Sequence, residues 1–100
     1  MTGRTPELVY RWIEFRIEQA QRNLRRPAFP RDIQPLLPWD RAEGSLRRDM
    51  YTMYTSGRLV RVGGDGARQG YRLPTPLERL AWGMHGQWPP FAERMLIGPN

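Results

Sequence analysis

Apolar residues recur three or four positions apart along most of this chain and every second position in one short stretch, and the change of period orders its elements. Val9, Ile13, Ile17, Ala20 and Leu24 fall on one side of a helix predicted over 5–25. Leu8, Trp12 and Phe15 form a second stripe, roughly a third of a turn away. Thr5-Pro6-Glu7 opens that helix with a hydroxyl cap, a proline at the first helical position and a carboxylate at the positive end of the dipole. Pro27 stops it. One stripe can line a core; the other needs a cover, from the C-terminal segment or from a second copy of the chain.

Phe29, Ile33, Leu36 and Leu37 keep helical spacing, but Pro30, Pro35 and Pro38 restrict them to a short helix at 31–37. A third helix is expected over 41–56. Asp40 and Glu43 have capping-box spacing, Ala42, Leu46, Met50 and Met53 share one side, and Thr55-Ser56-Gly57 supplies a stop with Gly57 as the left-handed residue. Arg58 to Val62 then alternates like a strand, with either Leu59 or the pair Val60 and Val62 turned to the core. Gly63-Gly64-Asp65-Gly66 suits a tight turn and Gly70 to Leu73 returns, which makes a hairpin of 58–73. Thr75-Pro76-Leu77-Glu78 opens a last helix over 75–84, and the tail 85–100, with Trp88, Phe91, Met95, Leu96 and Ile97, can fold back over helix 1.

Composition narrows the class. One hundred residues with 39% hydrophobic and 26% charged content suit a single domain with one modest core. Without cysteine there is no disulfide or thiolate metal site, and no apolar run approaches a membrane span. A cytoplasmic, nucleoid-associated protein without a membrane partner is expected. The net charge of +6 points to a polyanion. Every strongly basic side chain is arginine; GC-rich codon usage would explain that choice, but not the excess of basic over acidic residues.

The side of helix 3 opposite its core carries Arg41, Gly44, Ser45, Arg48, Tyr51 and Thr52, with Arg47 at the edge and no acidic residue expected there. A helix so furnished fits a major groove: arginine can bond guanine in two places, serine and threonine can reach bases or phosphates, and tyrosine can offer its ring to a thymine methyl. Gly44 would permit close backbone approach. From the hairpin, Arg61, Arg68 and Arg72 are expected to neutralise phosphates or to enter the minor groove, while Arg25, Arg26 and Arg31 surround helix 2.

The order helix, short helix, capped helix and β-hairpin over 7–73, with the register Leu46, Met50, Met53, Gly57, Leu59, Val60, resembles the winged helix-turn-helix superfamily. The resemblance implies an α+β, mostly helical fold of three helices plus a β-hairpin wing, here with an extra C-terminal helix, as one domain over 1–100. It also implies helix 3 as a recognition helix and binding of double-stranded DNA in transcriptional regulation. The same fold serves protein–protein contacts, so a protein-interaction module and a non-specific architectural DNA-binding factor remain alternatives. In the first of these, the aromatics Trp12, Trp39, Tyr54 and Trp88 would matter more than the arginines. A homodimer through helix 1 and the C-terminal segment is a further expected partner.

Catalysis is poorly provisioned. His85 is the only histidine, the aspartates lack metal-loop spacing, and the 63–70 glycines lack both the Walker lysine and a dinucleotide fingerprint. No enzyme activity, metal or cofactor is expected.

Overall fold

The i, i+4 spacing of Val9, Ile13 and Ile17 becomes the buried face of helix α1, Pro6–Leu24, with Ala20 beside them. The computed structural model describes residues 6–24, 27–63 and 70–89, Leu24 in backbone only; Thr5, the proposed cap, lies outside them. After α1 come α2 (Pro30–Ile33), a single 3-10 turn (Gln34–Leu36) and α3 (Glu43–Thr55). Strands β1 (Val60–Val62) and β2 (Gly70–Arg72) and helix α4 (Pro76–His85) complete an α+β, mostly helical globule with one antiparallel hairpin. None of the described helices is long and apolar enough to cross a membrane.

The main core joins the α1 stripe to Ala28, Ile33, Leu37, Leu46, Met50, Met53, Leu59 and Tyr71. Val60 and Val62 are also buried, in a second cluster with Trp88. Leu59 is thus the one that shares the core of α3, whereas Val60 and Val62 are buried in the other cluster, because the hairpin is covered on both faces. Leu59 and Tyr71 look toward α1 and α3, while Val60 and Val62 look toward Trp82 and Trp88. Ala28 adds one bridge to Tyr71, its N–H donating at 2.9 Å and its carbonyl accepting at 2.8 Å.

Two boundaries differ from expectation. The short helix splits into an α turn and a 3-10 turn at Pro35, whose missing N–H cannot continue an α ladder. Helix α3 starts at Glu43, with Ala42 rather than Asp40 at the cap position, and Ala42 is exposed instead of buried. The physical cause is the segment before it: Gln34 Nε2 donates to the Arg41 carbonyl at 2.8 Å, and Trp39 turns inward edge-to-face on Trp12, ring centres 6.3 Å apart. Trp39 thereby covers the middle of helix 1's second stripe, while Leu8 and Phe15 stay exposed. The tail's first aromatic, Trp88, lies not on α1 but on Trp82, 4.8 Å between centres, and on the hairpin. Residues 90–100, with Phe91, Met95, Leu96 and Ile97, lie outside the described residues.

The exit of α3 is a Schellman motif: the Arg58 N–H donates to the Met53 carbonyl at 2.7 Å and the Gly57 N–H to that of Tyr54 at 3.2 Å, with Gly57 at φ +87°. The turn delivers Arg58 to α1. There its Nε donates to Glu14 at 2.8 Å, its Nη atoms to Glu7 at 2.7 and 3.1 Å, and its guanidinium covers the Tyr10 ring. Hydrogen bonds from Arg58 and then Arg11 hold the Glu7 carboxyl down at about 2, against an ordinary value of 4.5. A carboxylate depressed in the folded state contributes stability that is complete above its unfolded pKa and is lost as pH falls through the folded one. Urea midpoints are therefore expected to fall from pH 4.5 down to about 2, and less steeply in Glu7→Gln, which has no carboxylate to protonate. Identical slopes for the two proteins would show that the Arg58–Glu7 pairing adds no stability.

Candidate nucleic-acid interface

Helix α3 buries Leu46, Met50 and Met53 completely, so its remaining faces point outward. Ser45, Arg48 and Thr52 rise from that outer side around a shallow depression of about 310 Å³, whose other walls are Arg41 and Asp49. Asp49 corrects the expectation of an acid-free face. Its Oδ2 accepts from Arg41 Nε at 2.6 Å, which neutralises one of the cations assigned to DNA. The signal was present in the spacing, since Asp49 is four residues beyond Ser45 and so lies on the same side. Arg47 is likewise paired, with Glu43 at 2.8 Å, although both side chains stay largely exposed and such a pair is weak. Arg48 is exposed and has no ion-pair partner among the described residues. A side chain at Gly44 would meet nothing within 4 Å, so packing does not require glycine there.

Two of the hairpin arginines separate. Strand pairing sets Arg61 opposite Tyr71 and Arg72 opposite Val60, so the two arginines leave from opposite faces. Arg61 lies across α3, its guanidinium 4.8 Å from the Tyr54 ring centre and 5.6 Å from that of Tyr51. Tyr51 and Tyr54 are themselves 5.9 Å apart, so the strand's cation caps a pair of rings on the recognition-helix candidate.

Arg72 does not reach solvent. It is 3% exposed, and its Nη atoms donate to the two carboxylate oxygens of Glu78 at 2.8 and 2.7 Å. Glu78 is equally buried and also forms a capping box with Thr75, accepting from the Thr75 N–H at 2.9 Å while its own N–H donates to Thr75 Oγ1 at 3.1 Å. Burial pushes the Glu78 carboxyl up, but the hydrogen bonds and charge of Arg72 and the bonds from Thr75 outweigh it and leave the carboxyl below the usual range. Arg72 is thus a structural group and leaves the predicted site. Arg68 lies outside the described residues, as do Arg25 and Arg26. Arg31 is exposed, set over the ring of Phe29.

Two cations remain from the predicted set among the described residues: Arg48, exposed beside Ser45 and Thr52, and Arg61, half-buried on Tyr51 and Tyr54. Comparison of the chain with protein-family models, with curated proteins and with solved structures finds no match in any of the three.

Proposed function

We propose that the protein binds double-stranded DNA in the manner of a winged helix, α3 entering the major groove and the β1–β2 hairpin flanking it as the wing. One observation carries this reading. The helix that buries its entire apolar face turns Ser45, Arg48 and Thr52 to solvent, and a strand arginine from the adjoining hairpin lies on two tyrosines of that same helix. Arg48 supplies a two-pronged donor for guanine, and Ser45 and Thr52 supply hydroxyls for bases or phosphates. Arg61, held by Tyr51 and Tyr54, supplies a phosphate contact where helix and wing meet. A small transcriptional regulator is the biological role this chemistry suits.

Fluorescence anisotropy with a random duplex over a salt series tests the reading. Because Arg41 and Arg72 are held in half-buried and buried ion pairs, we expect a log–log salt slope of magnitude only about 2 to 4, from some two to four neutralised phosphates. Arg48→Ala is expected to cost about 1–3 kcal/mol on a selected site and to relax specificity at one base. Absence of binding at ~50 mM salt sinks the proposal. Selection that returns no consensus from a randomised pool converts it to the architectural form. The protein-interaction reading draws on a different observation, the exposed apolar face of α4.

A further inference from the structure

Helix α4 turns its apolar side away from the other described elements. Toward the body it turns Glu78, buried on Arg72, and Trp82, whose ring lies against Gly57. Toward solvent it turns Leu77, Leu80 and Met84, which are 73%, 58% and 68% exposed. At 100° per residue these three and Ala81 fall within about 100° of one another, on the side away from Trp82. Between them is a hollow of about 250 Å³, which these three side chains line together with Ala81, His85 and Pro89.

We propose that this face is a dimerisation surface whose occupant is the α4 of a second copy, packed antiparallel about a two-fold axis near Leu80 and Ala81. Three features select a second copy over an unrelated partner. The stripe Leu77, Leu80, Met84 has the 3–4 spacing of a coiled-coil seam, and seven residues from Leu77 to Met84 let an antiparallel mate set its leucine against this methionine and the reverse. The projecting side chains also border a hollow large enough to receive one side chain from a mate, and a two-fold contact would let each copy fill the other's. Its size fits a small, reversible dimer: the three side chains alone present on the order of 400 Å², within the usual range for a monomer's largest apolar patch and about half of what each partner gives a standard interface. Ala81, His85 and Pro89 enlarge it, and the small side chain of Ala81 at the axis lets the two backbones approach.

This inference is independent of the DNA reading and is tested without DNA. Sedimentation equilibrium of the full chain is expected to give a dimer at micromolar to sub-millimolar concentration. Leu80→Glu places a charge at the axis and is expected to weaken dimerisation by on the order of a hundredfold, the effect of losing a central interface residue. Its far-UV circular dichroism and melting temperature, measured where both proteins are monomeric, are expected to match the parent, since Leu80 is exposed in the single chain. Phe15→Glu, on the exposed stripe of α1, is expected to leave the dimer intact. A monomeric parent protein overturns the proposal and reassigns the face to a different partner. A dimer that survives Leu80→Glu, or that Phe15→Glu dissolves instead, overturns it as well.

Discussion

Arg72→Met is expected to destabilise the protein by about 3–5 kcal/mol, because it strips the partner from a charge that water cannot reach. Both members of the Arg72–Glu78 pair are 3% exposed, and both guanidinium Nη atoms are used on both carboxylate oxygens. Methionine fills much of the arginine's volume, so the loss is electrostatic and not a cavity. Glu78 would protonate or draw in water, and its cap on α4 would loosen with it. The companion Arg72→Met/Glu78→Gln removes both charges while leaving an amide that can still accept from the Thr75 N–H. It is expected to return to within about 1–2 kcal/mol of the parent, since a buried pair replaced as a unit costs far less than one broken. Urea unfolding of the three proteins checks both values. Duplex affinity of the double variant is expected to equal the parent's, because the Arg72 guanidinium is buried on Glu78 and is not presented to solvent. A single substitution costing under ~1 kcal/mol would mean that solvent reaches the pair.

Gly57→Ala is expected to cost about 2–4 kcal/mol, the sum of two separate penalties. Holding a residue with a Cβ in left-handed backbone costs about 1–2 kcal/mol. The rest comes from Trp82: the new Cβ would stand 2.4 Å from its Nε1 and 2.5 Å from its Cε2, so the ring must leave its seat on the α3 exit. Because Trp82 also stacks on Trp88 and closes the second cluster, the displacement spreads to Val60 and Val62. Lower thermal stability together with changed tryptophan fluorescence is the expected result. A loss near 1 kcal/mol with unchanged fluorescence would show that only the backbone term operates.

Signals local in the chain were legible from sequence. The buried stripe of α1, the inner face Leu46, Met50 and Met53, the stop at Gly57 and the helix start at Thr75 to Glu78 are each written within a few turns and recur in the structure. Misreadings arose where a distant element competed. Asp40 had the spacing of a cap, but Trp39 preferred Trp12, from the helix two elements earlier, and the start of α3 moved two residues on. Arg72 looked like a wing cation because its partner is on a helix that begins after the hairpin ends. Arg58, drawn to Glu7 and Glu14 over some forty to fifty residues of chain, left no local trace.

For the candidate interface the division is equally physical. Helical periodicity by itself determined that Ser45, Arg48, Tyr51 and Thr52 share the outer side of α3, because a backbone with 3.6 residues per turn permits no other grouping. Which cations remain available to a ligand was decided by tertiary structure alone. Charge acts through space, so each arginine's state depends on the carboxylate the fold brings within about 3 Å: Asp49 for Arg41, Glu78 for Arg72, and only the rings of Tyr51 and Tyr54 for Arg61. The same holds for the leucines of α4, whose periodicity announces an apolar face but whose exposure follows from the buried ion pair that turns that face outward.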